Sequence, residues 1–200
     1  MTPNLETERL LLRPLQLADA GQTQPLFAQW EIVKFLNAVV PWPFPVDGAY
    51  QYYRDVCLPA VERGEEWDWT LRLKHSPEQI IGALSLVRGE SINRGFWLAL
   101  PWQRRGLMTE AVFVTNDFWF DVLGFNVLRA PKAVTNTASR RISEKTGMHV
   151  VATEEHEFVA GRMPAEIWEI TAAEWHEFRR QSSLSPQQTN RVKAKKRRLS

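Results

Sequence analysis

The 200-residue sequence lacks several features that would place it in a class at once. It has one cysteine, Cys57, so an intrachain disulfide is excluded; a lone cysteine in a helical-looking stretch is typical of a buried small side chain, and a catalytic thiol is the alternative. No stretch approaches the roughly 18 consecutive apolar residues of a membrane helix, and Met1 to Leu10 lacks a signal-peptide pattern. The four histidines show no metal-ligand spacing. We therefore expect a cytoplasmic protein that binds neither a membrane nor a metal.

Acidic residues are missing from one end of the chain. Residues 182–200 hold six basic residues and no acidic one, and removing these six from the 25 Lys and Arg leaves 19 against 23 Asp and Glu. The formal net charge of +2 therefore comes from this tail. Its composition predicts a disordered tail after a domain formed by residues 1–181. The tail either solubilises the chain or contacts nucleic acid, a ribosome or another acidic surface.

Hydrophobic periodicity predicts one α/β domain with a mixed sheet flanked by helices, because strand-to-helix crossovers create parallel neighbours. Prolines from Pro41 to Pro45 predict a loop between the first two helices, and His75 to Glu78 a hairpin turn. The predicted strands are 9–14, 67–73, 80–87, 92–100, 127–134, 149–156 and 162–170, and the predicted helices are 19–36, 46–63, 106–121, 137–146 and 172–180.

One segment carries the pattern of a phosphate site. A predicted strand ends near Leu100, a short basic loop follows, and a helix opens directly after its glycine. Unpaired N–H groups at a helix N-terminus attract an anion, glycine allows close approach, and arginines add positive charge. A basic turn without a ligand is the alternative. The candidate residues are Gln103, Arg104, Arg105, Gly106, Leu107, Met108 and Thr109.

Gln103 to Met108 resembles the pyrophosphate loop of the GNAT superfamily, usually written Gln/Arg-x-x-Gly-x-Gly/Ala, with Met108 in place of the last small residue. Two distant stretches, Leu5 to Leu15 and Asn136 to Met148, are similar to motifs of its RimJ/RimL-type branch. Three motifs in the right order, covering roughly residues 5 to 178, identify the chain as a member of this superfamily. The resemblance implies the GNAT acyl-CoA N-acyltransferase fold, a single domain with a splayed central sheet, and acetyl-CoA as the acyl donor.

The resemblance also implies where acetyl-CoA binds. The sheet should splay between Phe96–Leu100 and Val127–Val134, with the pantetheine arm in the gap. Backbone groups of Trp97, Leu98 and Ala99 would pair with the pantetheine amides, and an N–H there, assigned to Leu98, would stabilise the oxyanion.

The remaining roles fall on the loop and on the second motif. Gln103 to Thr109 would hold the pyrophosphate, and Asn136 would orient the same end of the cofactor as Ser139. Many family members carry a tyrosine where this chain has Ser143, and the resemblance to the RimJ/RimL-type branch instead implies Ser139 as the group that protonates the departing thiolate. An ordinary polar residue in the first turns of a helix is the alternative for Ser139.

The acceptor is a primary amine that attacks the thioester directly, without a covalent enzyme intermediate. The sequence does not identify the base: Glu65, Glu66, Asp68 and Glu154 lie at strand ends and stay unranked. Trp42 and Phe44, on the proline-rich loop, either pack in the core or cover the acceptor pocket.

Three functions remain open at this point. The chain is a protein N-terminal acetyltransferase acting on a ribosomal-protein-like acceptor, an acetyltransferase for a small-molecule amine, or a non-catalytic module that binds CoA or nucleic acid. Binding of nucleic acid through the tail would depend strongly on salt.

Overall fold

The computed structural model describes residues 1–90 and 92–182, so the predictions for residues 183–200 lie outside the described residues. The strands form two sheets, each with antiparallel pairing, in the orders β1-β2-β3-β4-β5 and β6-β8-β7. The strands are β1 (Leu5–Glu6), β2 (Leu10–Pro14), β3 (Glu66–Leu73), β4 (Ser76–Val87), β5 (Arg94–Leu98), β6 (Val127–Ala133), β7 (His149–Phe158) and β8 (Gly161–Thr171).

Seven helices connect and cover these strands in the described part of the chain. They are α1 (Ala20–Phe27), α2 (Trp30–Val33), α3 (Gly48–Tyr52), α4 (Leu58–Glu62), α5 (Leu107–Asp117), α6 (Thr137–Lys145) and α7 (172–182). Short π-helical turns follow α3 at Tyr53–Cys57 and α5 at Phe118–Val122. None of these helices has the length and apolar composition that crossing a bilayer requires.

The predicted elements are found, but several boundaries were wrong. The predicted helix 19–36 is two helices: α1, which contains Pro25, ends at Phe27, and α2 begins at Trp30. The predicted hairpin turn at His75 to Glu78 is shorter, since β4 already begins at Ser76. The strand predicted at 92–100 ends at Leu98, and Leu100–Trp102 form a 3-10 turn that accommodates Pro101.

The first sheet has two different faces, both buried. On one face Trp67, Trp69 and Leu71 pack against α5 and the turn that follows it. The other face of β3 carries Asp68, Thr70 and Arg72, also buried. Alternation along the strand therefore separates an apolar core from a polar layer under α1, α3 and α4.

A buried ion pair ties this polar layer to the first helices. Arg72 Nη2 lies 2.6 Å from Asp19 Oδ1, with side-chain exposures of 7% and 11%. Asp19 Oδ2 also accepts the Gln16 N–H at 2.9 Å. The pair thus positions the start of α1 against the sheet.

We predict that Asp19→Ala lowers the free energy of unfolding by about 3–5 kcal/mol, because it leaves the Arg72 guanidinium buried without its counter-charge. Glu78→Ala is the matched control: Glu78 pairs with Arg13 at 3.7 Å on the exposed surface, so its loss should cost about 1 kcal/mol or less. Urea denaturation of the three proteins measures both values. Equal, small losses in the two variants would contradict a structural role for the buried pair.

Candidate functional site

The two sheets meet at one junction and separate beyond it. Asn93 donates its N–H to Arg129 O at 2.8 Å, and Asn93 Oδ1 accepts the Arg129 N–H at 2.8 Å. Further along, β5 and β6 belong to different sheets. They run side by side in the same direction, since Lys132 Nζ reaches the Phe96 ring at 5.1 Å. The space between β5 and β6 beyond the junction is called the inter-sheet gap, and it lies where the motifs predicted a splay.

Strand alternation decides which backbone groups face the inter-sheet gap. Ala99 donates its N–H to Ile81 O at 2.9 Å, and the register places Trp97 opposite Ala83 and Leu98 opposite Gly82. In an antiparallel ladder the hydrogen-bonded residues alternate, so Trp97 and Ala99 direct their backbone groups to β4, whereas Leu98 directs its own into the gap. The backbone contacts predicted for Trp97 and Ala99 are therefore directed the wrong way.

Phe96 is a gap-facing residue that sequence reasoning missed. It lies two residues before Leu98, opposite Leu84, so the same alternation turns its N–H towards the gap. The period of two along β5 was the available signal. Phe96 and Leu98 thus present two backbone N–H groups on the open edge of the strand.

The basic loop, residues 103–106, lies exposed at the start of α5. Gly106 is the N-cap with φ 77°, in the left-handed region that glycine adopts without strain, and it makes no side-chain cap. The first helical bond runs from Glu110 N–H to Gly106 O at 3.1 Å. The N–H groups of Leu107, Met108 and Thr109 therefore have no acceptor within the helix, which is the arrangement that attracts an anion.

The side chains of the loop and of the first residues of α5 lie in three environments. Those of Leu107 and Met108 are buried in the core, so only their backbone is available to a ligand. Gln103 Nε2 donates to Leu98 O at 2.8 Å, which ties the loop to the end of β5. The Arg105 guanidinium lies 5.1 Å from the Trp102 ring, and Arg104 has φ 61°. The two arginines keep positive charge at the helix N-terminus.

The first and second motifs of the sequence meet at this loop. Arg9 Nε donates to Glu110 Oε2 at 2.7 Å, and Arg9 Nη1 donates to Arg105 O at 3.0 Å. Thr7 Oγ1 and the Arg9 N–H also donate to Glu110 Oε1. These bonds lower the pKa of the Glu110 carboxyl against the opposing effect of desolvation. The turn between β1 and β2 thereby fixes the first turn of α5.

The third motif forms the N-terminus of α6 beside the gap. Asn136 caps the helix, because its Oδ1 accepts the Ser139 N–H at 3.2 Å. Ser139 Oγ accepts a hydrogen bond from Lys132 Nζ at 2.8 Å, which links α6 to β6. Ser143, at the position where many family members carry a tyrosine, is fully buried. Sequence reasoning did not single out Lys132.

Aromatic side chains line the face of β5 that carries the Trp97 ring. The Phe27 ring lies 5.5 Å from that of Trp97 and 5.0 Å from that of Phe44. Phe44 packs below Gly48, whose Cβ would meet the ring at 2.8 Å. Trp42 is 42% exposed and lies 5.4 Å from Trp30. Phe44 is therefore a packing residue, whereas Trp42 presents its ring at the surface.

A buried acidic cluster, formed by Cys57, Glu66 and Asp68, lies on the same face as Trp97. Desolvation, and then the nearby Glu66, raise the pKa of Asp68 to about 7, and desolvation also raises that of Glu66. By contrast, Glu65 pairs with Arg63, which lowers its pKa, and Glu154 is exposed. Of the four unranked carboxylates, Glu66 and Asp68 thus combine burial with a raised pKa.

The ligand atoms of this cluster all lie within 4.8 Å of one another, so its geometry could hold a metal ion. Desolvation raises the pKa of the Cys57 thiol as well, and a metal would have to displace that proton first. The thiol is free and buried, which confirms the packing interpretation of Cys57.

The family model for the acetyltransferase (GNAT) domain matches residues 9–149. The chain therefore belongs to the GNAT family, as its motifs predicted, and it is an acetyltransferase of that family. It is 25% identical over 157 residues to the probable N-acetyltransferase YjcK of Bacillus subtilis, an alignment that covers 72% of this chain and 83% of that protein.

Comparison with solved structures shows that this chain has the fold of the RimJ/RimL-type enzymes. The ribosomal-protein-S5-alanine acetyltransferase from Vibrio fischeri superposes with a TM-score of 0.72 at 17% identity, covering 86% of this chain and 98% of that one. RimJ from Mycobacterium smegmatis, solved in complex with CoA-disulfide, superposes with a TM-score of 0.72 at 18% identity, covering 87% and 91%.

We predict that Asp68→Asn removes a pH dependence from the stability of the fold. The folded pKa of about 7 lies above the ordinary 3.8, so the wild type loses the contribution of the protonated carboxyl as pH rises from 3.8 through 7. The loss is on the order of 4 kcal/mol at about 1.4 kcal/mol per pKa unit. Urea denaturation at pH 5 and pH 8.5 spans about two of these pKa units, so the wild type should lose about 3 kcal/mol between the two pH values, whereas Asp68→Asn should lose none of it.

The control for this experiment is Glu65→Gln, since Glu65 is exposed and its pKa is lowered. This variant should follow the wild type at both pH values. An Asp68→Asn variant that did the same would show that the carboxyl is solvated in the folded state.

Proposed function

We propose that this acetyltransferase transfers the acetyl group of acetyl-CoA to the α-amine of a protein N-terminus, by direct attack in a ternary complex. The observation that carries the proposal is the open N-terminus of α5, with its basic loop, at one end of the inter-sheet gap. A small-molecule amine is the alternative acceptor.

The geometry supports acetyl-CoA as the donor. The N–H groups of Leu107, Met108 and Thr109, with Arg104 and Arg105, fit a pyrophosphate. The open edge of β5, where the Leu98 and Phe96 N–H groups face the gap, supports binding of the pantetheine amides and the oxyanion donor that was assigned to the Leu98 N–H. Asn136 holds the Ser139 N–H at the start of α6, and Lys132 Nζ binds Ser139 Oγ, the proposed proton donor to the sulfur.

The acceptor side supports a polypeptide rather than a fully enclosed small molecule. Trp30, at the start of α2, and Trp42, on the loop that follows it, are partly exposed, and their rings lie 5.4 Å apart. The loop between α2 and α3 also pairs with the β7–β8 hairpin, through Asn37 and Phe158. An acceptor chain can therefore enter between aromatic surfaces that remain open to solvent. An α-amine needs less help with deprotonation than a lysine, because its pKa is about 8 rather than about 10.4.

The acid cluster supports uptake of the amine proton. Glu66 is half-buried beside Asp68, and both have raised pKa values on the face that carries Trp97. A carboxylate whose pKa lies nearer to neutrality is a better base than a fully solvated one. We infer that this pair accepts the proton through water.

We predict that Gly106→Asp weakens acetyl-CoA binding by at least about a hundredfold, because like charges about 4 Å apart near a protein surface repel by a few kcal/mol. The fold should persist: aspartate tolerates left-handed backbone, and the new Cβ would lie 3.5 Å from Arg9 Nη2, an ordinary contact. Titration calorimetry with acetyl-CoA measures the change.

Gly124→Asp is the matched control. Gly124 has φ 71° and open space around its Cβ position, but it lies at the far end of the α5 segment. It should bind acetyl-CoA like the wild type. A folded wild type that binds no acetyl-CoA would refute the proposed function, and equal losses in both variants would assign the effect to backbone strain.

We predict that Trp42→Ala raises the acceptor KM by about tenfold or more, since truncating an aromatic anchor of an interface costs more than about 1 kcal/mol. The Kd for acetyl-CoA should not change. Val46→Ala, at a side chain that is 91% exposed, serves as the control. Peptides with free N-termini and small amines are compared as acceptors. Turnover confined to small amines would replace the protein acceptor with the alternative.

A further inference from the structure

Two buried cations lie together beside the inter-sheet gap. Arg94 on β5 and Lys132 on β6 are each 5% exposed. The Arg94 guanidinium lies 6.0 Å from the Phe96 ring, and Lys132 Nζ lies 5.1 Å from it. Phe96 is one of the two residues whose backbone faces the gap. Two basic side chains therefore lie beside the part of β5 whose backbone faces the gap.

Neither cation has a carboxylate partner among residues 1–90 and 92–182. Arg94 Nη1 donates to Asn116 Oδ1 at 2.8 Å, and its Nη2 contacts Met148 Sδ at 3.0 Å. Lys132 Nζ donates to Ser139 Oγ. Glu166, which faces Lys132 in the register of β6 and β8, is bound by Arg140 of α6 and by Trp168. Lys132 therefore has no anionic partner among the described residues.

Burial is costly for an ammonium group, and the cost changes its chemistry. Desolvation, together with the charge of Arg94, holds the pKa of Lys132 well below its ordinary value. Desolvation also lowers the pKa of Arg94, to about 10. An ammonium in this environment gives up a proton more readily than one in water. An anion arriving nearby would, conversely, favour the charged form.

We propose that Lys132 supplies the proton that Ser139 passes to the sulfur of departing CoA. The inference rests on the proposed function. As the carbon–sulfur bond breaks, its electron pair goes to sulfur, and the Ser139 hydroxyl proton moves to sulfur to form the thiol. A proton of the Lys132 ammonium moves to the Ser139 oxygen and leaves a neutral amine, which regains a proton from solvent. Lys132 acts through Ser139 and touches no reacting atom.

The chemistry of serine explains why a second group is needed. A serine hydroxyl that gives its proton to a thiolate becomes an alkoxide, and an uncompensated charge in a buried site is costly. A lysine at 2.8 Å neutralises the alkoxide by transferring a proton along an existing hydrogen bond. Arginine gives up its proton far less readily than lysine, so Arg94 contributes a positive electrostatic potential and not a proton. The arrangement thus replaces the tyrosine that many family members use.

The test measures the ionisation of the thiol of CoA bound to the enzyme, which requires no acceptor. Difference absorbance of the thiolate, with desulfo-CoA as the blank ligand, gives the pKa of the bound thiol. In the wild type this pKa should lie below that of free CoA. Lys132→Met should raise the bound pKa by about one to three pH units, the effect of removing one neighbouring opposite charge.

The matched control is Lys145→Met, since Lys145 ends the same helix as Ser139 but is exposed. This variant should keep the wild-type thiol pKa. Ser139→Ala provides the second variant: it removes the link, should raise the thiol pKa, and should leave little further change when Lys132→Met is added. If Lys132→Met does not fold, Lys132→Gln, which keeps a hydrogen-bond donor but carries no positive charge, takes its place.

The possible results distinguish failure of the proton transfer from Lys132 through Ser139, here called the relay, from failure of the proposed function. If the wild type binds CoA and neither Lys132→Met nor Ser139→Ala moves the thiol pKa, the relay is refuted and the acyl-donor site stands. If both variants raise the pKa while their affinity for desulfo-CoA is unchanged, the relay is supported. If the folded wild type binds no CoA, the proposed function fails and the relay fails with it.

Discussion

The fold depends on the way Asn93 joins two sheets at one end only. Its side chain is almost fully buried, and Asn93 Nδ2 donates to Val87 O and to Gly89 O while its Oδ1 and N–H bind Arg129. One residue thus satisfies the strand ends that would otherwise remain unpaired in the interior. Past this point β5 and β6 pair with other strands. The inter-sheet gap, the open edge of β5 and the placement of α5 and α6 all follow from this junction.

Buried charge differs between the two sides of the adjoining sheets. Arg94 and Lys132 lie on the side covered by α5 and α6, and Glu66 and Asp68 lie on the opposite side with Trp97. In acetyl transfer, negative charge develops on the departing sulfur and a proton must leave the attacking amine. The cationic side suits the sulfur, and the acidic side suits the amine. Burial is the largest cause of the shifted pKa in each set.

The sequence predicted the fold where a local signal existed. The chain order of strands and helices, the loop at Gln103 to Gly106 and the buried Cys57 follow from periodicity, from helix-terminus chemistry and from composition. The errors fell where tertiary contacts override periodicity. Helix α1 ends at Phe27 although the apolar pattern continues to Phe35, and Trp97 directs its backbone to β4 although it lies inside the predicted cofactor segment. The motif at Leu5 to Leu15 was found, but not its contact with Glu110, because Arg9 and Glu110 are 101 residues apart.

What the sequence alone determined is the family, the position of the open helix terminus proposed to bind an anion, and Ser139 as a candidate proton donor, since motifs and capping depend on neighbouring residues. Only the tertiary structure decided which of Glu65, Glu66, Asp68 and Glu154 is buried, which backbone groups of β5 face the gap, and that Lys132 lies behind Ser139. Burial sets the pKa of Asp68 and Lys132, and burial is a property of the whole packed chain. In a sequence, a lysine in a β-strand is typical of a solvated surface charge. Lys132 is buried because β5 and α6 pack against it.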